Sequence, residues 1–168
     1  MEYIDVYTED RVSTGVRLPR EGLFLREGQY MLYVLAIIQD LDGRILITQR
    51  ALDKHWAAGA WEVSGGGVLS GEKTAAAVVR EVGEEVGLDV SGLVTDPVYS
   101  YRNVDLARGD NYIVDIYRFE LDVDEDDVTL QDSEAIDVRF ATWDEITQLA
   151  ADGQFLHYER IGQALALL

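Results

Sequence analysis

The sequence contains no cysteine. Thiol nucleophiles, disulfide scaffolds, zinc–thiolate centres and iron–sulfur ligation are therefore excluded together. Histidine is almost as scarce, with His55 and His157 alone, which excludes a multi-histidine metal site. Proline occurs only at Pro19 and Pro97, and with no Ser- or Gln-rich stretch and no repeat, nothing marks a linker. Positive charge is also in short supply: 14 Lys and Arg stand against 32 Asp and Glu, a formal net charge of −18. Such a chain repels nucleic-acid backbones and anionic membranes, so neither is an expected partner. No apolar run approaches the ~18 residues of a membrane span. Met1–Asp5 shows neither a basic nor an apolar signal region, and the expected location is cytoplasmic.

What is present is ordinary globular material. The 168 residues are 48% apolar and 27% charged, which suits one domain able to bury roughly 70% of its unfolded surface. The run MLYVLAII from Met31 to Ile38 is too short for a long helix and predicts a buried strand. Asp42-Gly43 supplies a hairpin turn, with Arg44 to Arg50 as the partner strand. Trp61-Glu62-Val63 reads as a short strand that runs into a glycine-rich loop, Gly65-Gly66-Gly67. From Glu72 to Val86 the period becomes helical, with Ala75, Val78, Val79, Val82 and Val86 on one stripe and Gly87 where a left-handed C-cap belongs. Further strands are expected at Val98–Asn103, Tyr112–Leu121 and Ala135–Ala141. Helices are expected at Trp143–Ala151, capped by Thr142, and at Phe155–Leu168. The intermixed elements imply an α/β (α+β) fold with a mixed sheet between helices.

The chemistry concentrates between Gly65 and Leu88. On a helix, Glu81 faces both Glu84 and Glu85, and like charges at that spacing cost a few tenths of a kcal/mol each. A compensating partner is needed. Carboxylate oxygens without His or Cys suit a hard cation, Mg²⁺ or Mn²⁺. A glycine loop beside such a site is a layout for phosphate esters and anhydrides. The alternative is a solvated acidic face that binds nothing.

Spacing decides between them. Gly66 is followed after five residues by Glu72, and after seven more by Arg80-Glu81-Val82-Gly83-Glu84-Glu85-Val86-Gly87-Leu88. This resembles the signature of the Nudix hydrolases at all nine of its fixed positions, a coincidence expected at roughly 10⁻⁹ to 10⁻⁸ per start position. Arg50, Lys54, Gly59 and Trp61 resemble positions that precede the signature in many members, and Ile136–Phe140 with Trp143–Ile146 resembles the family's last strand and helix. Glu2–Tyr7 is similar to the bacterial branch related to isopentenyl-diphosphate isomerase. Ala58 replaces the usual Pro, and Gly67 stands where that branch often has His.

The resemblance implies a Nudix-like α/β/α sandwich over residues 1–168, with 1–29 as an N-terminal extension and the core from about residue 30. It implies a pyrophosphatase that hydrolyses a phosphoanhydride in a nucleoside diphosphate linked to another moiety, using Mg²⁺ or Mn²⁺. Glu81 and Glu85 would be the main metal ligands, joined by Glu84 and the carbonyl of Gly65. Glu72 and Arg80 would form a supporting ion pair, while Gly66 and Gly87 shape the backbone. Glu134, four residues before Val138, would be a further ligand or the general base, with Asp132 as the less suited neighbour. Arg50 and Lys54 would contact substrate phosphates or form surface ion pairs. Tyr99, Tyr101, Tyr112 and Tyr117 could stack a base or serve as sheet packing. A homodimer is common in the family, although no exposed apolar pattern establishes one here.

Rival readings fail on residues. In Gly66–Thr74, GGVLSGEKT, Glu72 separates Gly71 from Lys73, where a P-loop needs them contiguous. The dinucleotide fingerprint fails at Ser70. A calcium loop from Asp122 lacks its glycine at Asp127 and its glutamate at Ser133. Isomerase chemistry lacks its cysteine and histidines. The remaining alternative, a non-catalytic nucleotide-binding sensor on the same fold, would be expected to show an eroded signature.

Overall fold

The computed structural model describes residues 1–131 and 133–168. Met31–Gln39 (β3) is the central strand, and its apolar run serves two cores at once. Leu32, Val34, Ala36 and Ile38 face one side, while Leu35 and Ile37 face the other. A strand buried on both faces must be continuously apolar, which is why no alternation is visible in it. Tyr112–Glu120 (β8) pairs with it in parallel from Met31↔Tyr112 to Gln39↔Glu120, and Tyr99–Asn103 (β7) lies antiparallel on β8.

Ile45–Arg50 (β4) follows the expected turn but meets β3 only at Gln39↔Ile45. Beyond that point the edge of β3 is taken by Ser64–Gly67 (β6), paired from Tyr33↔Gly67 to Ala36↔Ser64. The glycine cluster is thus a strand and not a loop. Displaced, β4 pairs instead with Trp61–Glu62 (β5) and with Ala135–Ala141 (β9).

Thr74–Val86 (α1) covers one face of the sheet with Ala77, Val78, Val82 and Val86. It starts two residues later than its period suggested, because Glu72 turns back to accept a hydrogen bond from Leu69 N–H at 2.9 Å. Gly87 ends it with φ +70°, a conformation that favours glycine. Trp143–Ala151 (α2) and Tyr158–Ala164 (α3) cover the other face through Ile146 and Ile161. Thr142 caps α2 in a reciprocal box with Glu145. Helix α3 is shorter than expected. Trp61 N–H donates to Gln154 O at 2.8 Å and Leu156 N–H to Trp61 O at 3.0 Å, so residues 154–156 are held against β5 and cannot be helical. The acidic stretch after β8 contains a 3₁₀ turn, Glu125–Asp127, capped by Asp124.

The sandwich is preceded by a hairpin. Tyr3–Tyr7 (β1) and Ser13–Pro19 (β2) form a separate antiparallel pair that buries Ile4 and Val6 against Leu25 and Met31. Arg11 at its tip donates to Asp115 Oδ1 at 2.7 Å, and Asp115 is buried in β8. Among the described residues, no helix is long and apolar enough to cross a membrane.

Candidate active site

Strand β6 and helix α1 meet along one line, and the signature residues lie on it. At Gly66 an added Cβ would fall 2.2 Å from the carboxyl carbon of Glu81, so no larger residue fits while Glu81 stays in place. Arg80 organises the other side. Its Nε lies 3.0 Å from Glu72 Oε2 and its Nη2 2.9 Å from Glu72 Oε1, a two-point ion pair, while Nη2 also donates to Gly67 O at 3.0 Å. The same guanidinium reaches Glu81 Oε1 at 2.8 Å and Glu84 Oε2 at 3.4 Å.

These contacts border a cavity of about 320 Å³ that Gly65, Gly66, Glu81, Glu84, Glu85 and Glu134 all line. Glu81 is 14% exposed and Glu84 53%, so Glu84 is the outer member of the three. Glu85 accepts one hydrogen bond from Gly65 N–H at 3.3 Å. Burial pushes its carboxyl well above the usual range, and the nearby Glu81 and Glu62 push it further. Burial also raises Glu81, against the opposing pull of Arg80. Among the described residues no three carboxylates or imidazoles stand close enough to enclose a cation. Arg80 is the cation that Glu81 and Glu84 contact.

The last strand's lead-in is tied to the helix end. Thr129 N–H donates to Val86 O at 3.0 Å and Gln131 N–H to Glu85 O at 3.2 Å, satisfying carbonyls that a helix terminus leaves open. Glu134 reaches the cavity from there, and its carboxylate is paired with Lys54. Asp132 lies outside the described residues. Arg50 lines the cavity too, but it faces Glu62 at 3.2 Å. Both basic residues therefore contact glutamates of the site itself.

Glu62 is a residue that sequence reasoning missed. An acid between Trp61 and Val63, both buried, was the available signal. Burial raises its carboxyl, and Arg50 opposes that.

A second cavity of about 420 Å³ adjoins the first and shares Arg20, Tyr33 and Arg50 with it. Its own wall includes Trp56, Tyr101, Arg108, Tyr112 and His157. Tyr33 and Tyr112 stack at 5.2 Å. The four tyrosines singled out in the sequence thus separate. Tyr101 and Tyr112 face the second cavity, Tyr99 bonds Gln163 at 2.9 Å, and Tyr117 is buried beside Thr74.

Comparisons with known proteins agree with this layout. A family model described as the NUDIX domain matches residues 29–161. An uncharacterised Nudix hydrolase of Listeria monocytogenes is 34% identical over 170 residues, covering 99% of this chain and 95% of that one. The CTP pyrophosphohydrolase of Escherichia coli is 41% identical over 61 residues, 36% of this chain and 44% of that protein. In fold, a crystal structure from Deinococcus radiodurans superposes with a TM-score of 0.74 at 22% identity, covering 91% of each chain. A signature complete at every fixed position, laid along β6 and α1, and a domain match over most of the chain place this protein in one family: it is a Nudix hydrolase.

Proposed function

We propose that the protein hydrolyses a phosphoanhydride bond in a nucleoside diphosphate linked to another moiety, with Mg²⁺ or Mn²⁺ as cofactor. The observation that carries the reading is the half-buried carboxylate of Glu85, which lines the cavity beside Glu81 and Glu62 with no cation of its own among the described residues. The donor set fits a hard divalent ion: oxygen only, from Glu81, Glu85, the more exposed Glu84 and the carbonyl of Gly65. Oε2 of Glu81 accepts no hydrogen bond from the described residues, which leaves it available. When bound, such an ion stabilises charge developing on phosphorus and lowers the pKa of an attacking water.

The remaining steps belong to the chain. Glu134 accepts the proton of the attacking water, and Lys54 orients its carboxylate from the loop after β4. Arg50 exchanges Glu62 for a substrate phosphate oxygen. A new oxygen–phosphorus bond forms as the anhydride oxygen–phosphorus bond breaks, giving two phosphate-bearing products, one of them a nucleotide. The likeness to CTP pyrophosphohydrolase over 61 residues supports this bond class.

The test is a panel of nucleoside diphosphate derivatives with product analysis, before and after chelation. Turnover is expected only with Mg²⁺ or Mn²⁺, and full activity in excess EDTA overturns the mechanism. Binding without turnover across the panel favours the sensor reading instead.

A further inference from the structure

We propose that Arg20 is a substrate-binding residue that grips a phosphate oxygen at the junction of the two cavities, making them one site for a diphosphate compound; this rests on the hydrolase reading above. Arg20 lies at the end of the β1–β2 hairpin, outside residues 29–161 that match the family domain. It therefore belongs to the N-terminal extension and not to the matched domain.

Three arginines line the joined cavities in a protein of net charge −18. Arg50 faces Glu62 at 3.2 Å and Arg108 faces Asp110 at 3.4 Å. Arg20 has no carboxylate within ion-pair distance among the described residues. Its neighbours are the thioether of Met31, 3.5 Å from Nη1, and the hydroxyl of Tyr112. A thioether is a weak acceptor, so the planar donor fork is left with little to satisfy it. Phosphate oxygens match that fork geometrically and electrostatically.

Position supports the same conclusion. A Cβ at Gly67 would lie 3.7 Å from Arg20 Nε, so the guanidinium flanks the strand that carries Gly65 and Gly66 past Glu85 and Glu81. One anhydride could then meet carboxylates and a bound cation at one end of β6 and Arg20 at the other. Beyond Arg20, the ring of Trp56 lies 5.5 Å from the Arg50 guanidinium and 5.2 Å from that of Arg108. This wall, an aromatic ring between two guanidiniums with Asp105 and Asp110 beside them, suits stacking of the substrate's base.

The hairpin is also held firmly enough to place a ligand. Arg20 N–H donates to Glu2 O at 2.8 Å, and Ser70 N–H to Tyr3 O at 2.8 Å. Asp5 accepts from Ser70 Oγ at 2.7 Å and from Gly71 N–H at 2.9 Å. The extension is thereby stitched to the turn that precedes α1.

The experiment is calorimetric titration with α,β-methylene-ADP and Mg²⁺, beside steady-state kinetics on whichever panel compound turns over. Arg20→Ala is expected to weaken binding and raise KM about tenfold or more, with kcat within about threefold. Arg20→Lys should recover part of the loss. Arg17→Ala is the control: this exposed neighbour on the same hairpin covers the Tyr3 ring at 4.0 Å and should behave as wild type. If Arg20→Ala does not fold, Arg20→Lys and Arg20→Gln carry the comparison, with Gln expected to bind worse than Lys. Titration and KM within twofold of wild type overturn the proposal and leave the hydrolase reading intact. Absence of wild-type turnover overturns that reading, and the titration then decides Arg20 by itself; no wild-type binding of the analogue overturns the Arg20 proposal.

Discussion

The two cavities share a boundary and differ in what they lack. The first is bordered by Glu62, Glu81, Glu84, Glu85 and Glu134, and burial raises the carboxyls of Glu62, Glu81 and Glu85. The second is walled by Trp56, Tyr101, Arg108, Tyr112 and His157, with Asp105 and Asp110 beside them. One demands a cation and the other can accept an anion. A metal-bound diphosphate satisfies both demands at once, which a strongly acidic protein could not do by net charge alone. On the proposed reading, chemistry and recognition meet at Arg20, Tyr33 and Arg50, which both cavities share.

The sharpest way to break this division is Glu85→Gln. Removing a carboxylate from the cation side should lower kcat about 10³-fold, at 1.4 kcal/mol per tenfold, with substrate affinity little changed. Urea unfolding should show no loss of stability, because a half-buried carboxylate facing Glu81 and Glu62 is replaced by a neutral amide. Initial rates at saturating metal and substrate test it, and kcat within tenfold of wild type would reject Glu85 as a ligand.

A smaller effect is expected from Glu134→Gln, about 10²-fold in kcat, which is the lower end of what a positioned base contributes. If kcat stays within a few-fold, the base lies elsewhere, on α1 or at Asp132, and Asp132→Asn becomes the next variant to assay. Arg50→Ala acts at the boundary. It should raise KM about tenfold while leaving half-buried Glu62 without its guanidinium. An unchanged KM would reduce Arg50 to a partner of Glu62.

The smallest effect concerns the hairpin that carries Arg20. Arg11→Ala leaves buried Asp115 without its cation, and should raise KM only a few-fold with kcat unchanged, at a stability cost of about 1–3 kcal/mol. Burial alone would raise the Asp115 carboxyl, but hydrogen bonds from Arg11, Ser100 and Thr74 outweigh it and hold the group below its ordinary value. The unfolded chain therefore binds this proton more readily than the folded one. The stabilisation is present above the ordinary Asp range and is lost as pH falls through the folded-state value, below about pH 4. Urea midpoints measured from pH 6 to pH 3 should fall more steeply for wild type than for Arg11→Ala.

Much of the architecture was legible in the chain. Ala135–Ala141 and Trp143–Ala151 have the bounds their patterns predicted, since alternation, a capping threonine and helical period are local properties. Elements misread were those whose state depends on a neighbour. Gly65–Gly67 looks like a loop because glycine favours no strand, yet the free edge of β3 recruits it. Residues 1–29 show no strong pattern, because β2 is exposed along nearly its whole length. Phe155 and Leu156 have helical character but are captured by Trp61 in β5.

The site divides in the same way. Sequence alone determined the signature: Gly66, Glu72, Arg80, Glu81, Glu84, Glu85 and Gly87 lie within 22 consecutive residues, and helical periodicity converts the spacing of Arg80, Glu81, Glu84 and Glu85 into proximity. Tertiary structure decided what faces them. Glu62, Glu134, Arg50 and Lys54 come together only because β4 leaves β3 to pair with β5 and β9. Arg20 reaches the same place from a hairpin that has its own sheet. Local spacing is set by covalent geometry and can be read along the chain. Partners distant in sequence are set by which strand edges remain free and which charges burial leaves uncompensated, and those exist only once the sheet has formed.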